Sequence, residues 1–140
     1  MTAYRFRLLL SLYIILCGTA LVAGFFSSSL ISPAMQAAWE AEPVAWDIAN
    51  LPLSISIILP LAVGSLAGLI GMFMFKSWAR TFSLSCTVAG MIVLRFMGTS
   101  VLSWLDYTLV EMAAMVWGAI LALAYYSPVS SRFSAARTSA

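Results

Sequence analysis

Long runs of apolar residues dominate the chain, and four of them are long enough to cross a bilayer. They cover approximately residues 8–31, 51–75, 82–103 and 107–126. A membrane-spanning helix needs roughly 20 mostly apolar residues, so each run predicts one transmembrane helix. The connectors after the second and third runs are short, which makes the last three spans sequential antiparallel neighbours. The sequence therefore predicts an all-α polytopic membrane protein, with residues 1–128 forming a single antiparallel bundle of four transmembrane helices.

The first apolar run has two interpretations, because Arg5 and Arg7 precede it as they would precede the core of a signal peptide. Such a core has roughly 7–15 residues, whereas this run continues through Phe25 and Phe26 to Ile31. We therefore interpret it as an uncleaved first span, with a cleaved signal peptide as the alternative.

The loop of residues 32–50 is the one sizeable connector. Ser32 and Pro33 are typical of a helix start, with serine at the cap and proline in the first turn, and the residues that follow have a helix-forming composition. Trp39 and Trp46, together with nearby carboxylates, favour a short helix lying at the membrane surface. The two tryptophans are predicted to be interfacial anchors, and a docking surface for an extracytoplasmic partner is the alternative.

Charged residues are distributed unequally between the two sides of the four-span arrangement. The basic residues on one side are Arg5, Arg7, Lys76, Arg80, Arg132 and Arg137, and the acidic residues on the other are Glu40, Glu42, Asp47 and Asp106. Basic residues in short loops favour the cytoplasmic side, so both termini are predicted to be cytoplasmic. Asp106 is expected to be the N-cap of the fourth span, and residues 129–140, rich in Ser, Ala and Arg, are expected to form a disordered cytoplasmic tail.

The composition excludes several classes of function. The chain is 63% hydrophobic and 9% charged, whereas soluble domains are about 25% charged. A net charge of +2 without a basic stripe argues against nucleic-acid binding. The chain has no histidine, and Cys17 and Cys86 lie inside apolar runs, so the usual zinc and histidine-ligated haem sites are excluded and no metal or cofactor is predicted. Without a nucleophile elbow or a phosphate loop, an enzyme is not predicted.

Small residues at helical spacing mark helix–helix interfaces in membranes. They follow one face of the second span at Gly64, Gly68 and Gly71, and one face of the fourth span at Ala114, Gly118 and Ala122. These residues predict close helix packing. The packing partner is either another helix of the same bundle or another membrane protein, because both use the same geometry.

Two ionisable residues lie within the predicted spans, Arg95 in the third and Glu111 in the fourth. Such groups usually face the protein interior or water, so Glu111 and the small residues on its face are expected to point at an interface. On an antiparallel hairpin the two groups are offset by about 6 Å along the axis. They either form a structural ion pair, or Arg95 bonds the Ser56 carbonyl freed by Pro60 and Glu111 is protonated.

Two short segments carry a resemblance to known proteins. The segment from Lys76 to Arg80 (KSWAR) and that from Trp117 to Pro128 (WGAILALAYYSP) resemble recurring pieces of small four-helix bacterial inner-membrane proteins of unknown function. The resemblance implies a bacterial cytoplasmic membrane and no particular activity. The first span contains no acidic residue, unlike the first helix of the small multidrug transporters.

Two hypotheses of function follow. The preferred one is a non-enzymatic accessory or interaction subunit, embedded in the lipid bilayer and bound to another membrane protein or to a second copy of itself. The alternative is a small homo-oligomeric proton-coupled transporter or channel that uses Glu111 and Arg95.

Overall fold

The computed structural model of the chain describes residues 2–26, 30–41, 51–96 and 102–135. Every longer regular element in these ranges is an α-helix. In chain order the helices are α1 (Ala3–Phe26), α2 (Pro33–Glu40), α3 (Leu51–Phe73), α4 (Ala79–Phe96), α5 (Trp104–Tyr126) and α6 (Ser130–Ala135). The described part of the chain is therefore all-helical, as the sequence predicts.

Three of these helices are long and apolar enough to cross a membrane: α1, α3 from Ile55 onward, and α5. This confirms the prediction of a membrane protein. Helix α4 is shorter in its apolar part, Ala79–Val93, so its crossing stays a prediction. Its described part ends at Phe96, and the predicted end near residue 103 falls next to residues 97–101, which lie outside the described ranges.

The turn between α3 and α4 is closed by a left-handed residue. Phe75 has φ 55°; the Lys76 amide donates to the Gly71 carbonyl at 2.9 Å, and the Phe75 amide donates to the Met72 carbonyl at 3.2 Å. This is the Schellman arrangement, which usually has glycine at the left-handed position. Because the chain reverses within this short turn, α3 and α4 pack together as a hairpin.

Contacts divide the chain into two compact units. The hairpin unit comprises Met1–Ala3, Val44–Gly98 and Leu121–Ala140, and therefore holds α3, α4, the end of α5 and α6. The second unit comprises Tyr4–Pro43 and Thr99–Ile120, and therefore holds α1, α2 and most of α5.

The short helices bear on two predictions. A helix begins at Pro33 as expected, and the Met35 amide donates to the Ser32 carbonyl at 3.0 Å; the Trp39 side chain and Trp46 lie outside the described part. The predicted disorder of residues 129–140 differs from the structure, which has helix α6 there. Val129 and Phe133 are 2% and 0% exposed, since an apolar pair four residues apart gives this segment one buried face. Residues 136–140 are outside the description.

Candidate functional site

The predicted glycine face of α3 packs against the first turns of α4. A Cβ added at Gly68 would lie 2.5 Å from Ser83 Oγ, and one added at Gly71 would lie 2.8 Å from Ala79 Cβ. Both distances are well inside the ~3.5–4.0 Å optimum for non-bonded atoms. Gly64 is slightly less crowded, with its added Cβ 3.3 Å from Cys86 Sγ. The structure thus places all three glycines in the interior of the hairpin, where they allow two backbones to approach.

Ser83 occupies the centre of this contact. Its side chain is 1% exposed, and its Oγ has no hydrogen-bond partner among the described residues. The small hydroxymethyl group fills the space that the missing Cβ of Gly68 leaves. The interface is therefore tightly packed at Gly68 and Ser83.

Helix α5 has two opposite faces. The buried face contains Ala113, Ile120 and Ala124, which are 8%, 0% and 0% exposed. The opposite face, which we call the Glu111 face, contains Glu111, Ala114, Gly118 and Ala122, all exposed. At about 100° per residue the two sets fall on opposite sides of the helix. A Cβ added at Gly118 would meet no atom within 4 Å, so none of the described residues packs closely there.

Whether the small residues of the Glu111 face pack against another helix of the bundle or against another membrane protein stays a prediction, and among the described residues this face is the exposed side of α5. A physical reason lies in the other face, where Ile120 supplies a large apolar side chain. Van der Waals attraction grows with the number of atoms in contact, and packing Ile120 brings more such contacts than packing glycine and alanine. The small residues are thereby left on the outside of the chain.

Arg95 is the penultimate residue of α4, and its side chain lies outside the described part of the structure. The predicted pair of Arg95 with Glu111 therefore stays a prediction.

The start of α5 is capped by the Ser103 side chain. Ser103 precedes the first helical residue, Trp104, and its Oγ donates to Asp106 Oδ2 at 2.7 Å and accepts from the Asp106 amide at 3.2 Å. Ser103 is therefore the N-cap and Asp106 the third helical residue, a correction to the expectation that Asp106 is the cap. Both residues are buried, at 3% and 4% exposure, so they stabilise the helix end rather than offer a site.

Arg80 is the centre of a cluster that the sequence did not predict. Its guanidinium Nη1 donates to the Ala124 carbonyl at 3.2 Å, and its Cζ lies 5.3 Å from the ring centre of Tyr125 and 5.2 Å from that of Phe133. The Phe133 ring also meets Phe75 edge-on at 5.2 Å. We call Arg80, Tyr125, Phe133 and Phe75 the Arg80 cluster. It joins the start of α4, the end of α5 and α6.

The sequence contained one signal for this cluster. Val129 and Phe133 are apolar residues four positions apart in an otherwise polar segment, which is the spacing of one helix face. A second unpredicted contact lies in the other unit, where Tyr13 of α1 stacks on Trp117 of α5 at 4.7 Å. No spacing or residue type in the sequence predicts the contact between these two rings.

The described residues contain no group of three or more His, Cys, Asp or Glu side chains that could hold a metal ion. Cys17 and Cys86 are free thiols. No protein family, characterised protein or solved structure matches this chain.

Proposed function

We propose that the chain is a non-enzymatic integral membrane protein, an accessory or interaction subunit that binds another membrane protein through the Glu111 face of α5. We further propose that it resides in a bacterial cytoplasmic membrane as a four-span bundle, with both termini in the cytoplasm. The unequal distribution of basic residues and the resemblance of its KSWAR and WGAILALAYYSP segments support this location.

The observation that carries the proposal is the exposure of Glu111. It lies on a helix long and apolar enough to cross a membrane, on the side opposite the buried face. A charged side chain at the bilayer centre costs roughly 2.5–3.5 kcal/mol on insertion scales, and such groups usually face protein or water. A partner protein that covers Glu111 removes this unfavourable exposure to lipid.

The small residues beside Glu111 make close approach of a partner helix feasible. Gly118 has open space around it, and Ala114 and Ala122 are exposed one turn away on either side. Membrane helices associate through close backbone packing and polar contacts rather than through the hydrophobic effect. The Glu111 face offers both features in one helix.

The experiment is native mass spectrometry of the tagged chain, purified gently from its own host membrane. The test variant is Gly118→Ile, because a Cβ added at Gly118 on the Glu111 face would meet no described atom within 4 Å. Gly18→Ile is the matched control, because Gly18 in α1 is also exposed with open space around it. We expect a heteromeric mass for the wild type and for Gly18→Ile, and at least a tenfold smaller share of it for Gly118→Ile.

Two results would contradict the proposal. A chain that purifies without any other protein would remove the accessory role, and a homo-oligomer in its place would favour the transporter hypothesis. A heteromer that survives Gly118→Ile unchanged would show that the partner binds elsewhere. Circular dichroism of both variants checks that the helices are intact.

A further inference from the structure

The basic side chains next to the Arg80 cluster form a second surface, distinct from the Glu111 face. Lys76 directly follows Phe75 in the chain, and Arg132 directly precedes Phe133. Since the rings of Phe75 and Phe133 are in contact, Lys76 and Arg132 flank one shared contact beside Arg80. Both flanking residues are exposed, so one end of the hairpin unit presents two accessible cations near a third, fixed one.

The chain supplies no acidic counterpart for these charges in this unit's helices. The sequence has no Asp or Glu between residues 51 and 105 and none after residue 111, so α3, α4 and α6 carry no carboxylate. Arg80 is held by a carbonyl and two aromatic rings instead. No carboxylate of these helices therefore pairs with Lys76 or Arg132.

The aromatic residues around the cluster indicate the level at which it lies in the membrane. Trp78 and Tyr126 are 50% and 92% exposed, and both are adjacent to the ends of apolar helices. Exposed tryptophan and tyrosine at such positions are typical of the lipid headgroup region. Lipid phosphates lie at that level, where exposed basic side chains attract them.

We infer that Lys76 and Arg132, beside the Arg80 cluster, bind the phosphate of an anionic phospholipid in the leaflet at this end of the hairpin. Basic surfaces next to membrane helices attract anionic headgroups, and arginine forms paired hydrogen bonds to phosphate oxygens. Arg80 stays in its aromatic contacts and adds a fixed positive charge behind the two accessible groups.

The test uses the full chain in nanodiscs of phosphatidylcholine with a minor share of phosphatidylglycerol. After mild detergent washing, native mass spectrometry counts the lipids that stay bound. The variant is Lys76→Gln with Arg132→Gln; both residues are exposed, so the fold is expected to be unaffected. We expect phosphatidylglycerol retention to fall by about 25-fold, since each basic side chain near an anionic surface contributes about fivefold.

Two matched variants make the result specific. Arg5→Gln with Arg7→Gln removes the same charge from α1 and should retain the lipid, and Lys76→Arg with Arg132→Lys keeps the charge and should also retain it. Equal losses in the α1 variant would overturn the inference, because they would show a general effect of net charge. The inference would also be overturned if the wild-type chain retained phosphatidylcholine as well as it retains phosphatidylglycerol. Displacement of the bound lipid by low concentrations of inorganic phosphate would overturn it too.

Discussion

Phe75 shows how a single residue links the turn of the hairpin to helix α6. It adopts a left-handed backbone conformation, with φ 55°, which for residues other than glycine costs roughly 1–2 kcal/mol. In return its ring meets Phe133 at 5.2 Å, and such aromatic pairs contribute about 0.5–1.5 kcal/mol beyond their buried area. The backbone strain and the ring contact are therefore of similar size, and glycine at this position would remove both.

Gly68 gives the sharpest test at the scale of one residue. We expect Gly68→Ala to destabilise the hairpin by about 1–3 kcal/mol through overpacking, because the added Cβ would lie 2.5 Å from Ser83 Oγ and 3.4 Å from Ser83 Cα. The clash is with Ser83 Oγ, since the distance to Ser83 Cα is an ordinary contact, and relieving it requires the buried Ser83 side chain to move. The measurement is the midpoint of thermal unfolding in detergent, followed by circular dichroism.

Gly118→Ala is the control for that substitution. Its Cβ would meet no atom within 4 Å, and alanine is favoured over glycine inside a helix by roughly 0.5–1 kcal/mol. Its unfolding midpoint should therefore be unchanged or slightly raised. Equal midpoints for Gly68→Ala and the wild type would show that α3 and α4 do not approach closely at Gly68.

Among the elements, the long helices were the predictable part. In lipid a spanning segment must satisfy its own backbone hydrogen bonds, so an apolar run is constrained to be helical. Helices α3 and α5 match their predicted runs within three residues, whereas α1 begins at Ala3, five residues before its run. The N-cap of α5 was predicted three residues too late. The sequence shows an acidic residue, Asp106, near the helix start, but the hydrogen bonds make Ser103 the N-cap and Asp106 the third helical residue.

The faces of the helices were harder to predict than the helices themselves. In water the polar face of a helix identifies the outside, whereas in a membrane helix both faces are apolar or small. The glycines of α3 and the Glu111 face of α5 carry the same small-residue spacing, yet the first is packed at Gly68 and the second is open at Gly118. Only the identity of the facing side chains, such as Ser83, separates the two cases.

Helix α6 lies in the segment that was predicted to be disordered. That prediction was based on the Ser, Ala and Arg content of the segment and gave too little weight to its apolar pair, Val129 and Phe133. We expect Phe133→Ala to release α6, since Phe133 is 0% exposed and contacts both Phe75 and Arg80. Burial of a phenylalanine contributes roughly 1.5–3 kcal/mol, so amide hydrogen exchange in α6 should become about 10- to 100-fold faster.

The neighbouring Arg132→Gln serves as the comparison for α6. Arg132 is exposed, so its replacement should leave the exchange rates of α6 unchanged. If Phe133→Ala also leaves them unchanged, the contacts of Phe133 do not hold this helix in place.

At the scale of the whole molecule, the crossing of α4 decides the topology. The described part of this helix has 18 residues, or about 27 Å at 1.5 Å per residue, against a hydrocarbon thickness of about 30 Å. Its apolar centre lies between Arg80 and Arg95, and arginines near helix ends extend toward the interface. A crossing is therefore physically feasible, and it keeps Arg132 on the same side as Lys76.

We expect sided cysteine labelling to show four crossings rather than three. In a background with Cys17→Ala and Cys86→Ala, the exposed residues Gln36 and Ser131 are replaced singly by cysteine. Four crossings place residue 36 outside and residue 131 inside. With three crossings α4 does not span the membrane, so residues 36 and 131 are both outside. A membrane-impermeant maleimide should label Gln36→Cys in intact cells and Ser131→Cys only after permeabilisation. Labelling of Ser131→Cys in intact cells would instead put α4 on the membrane surface and place Arg132 against the positive-inside distribution.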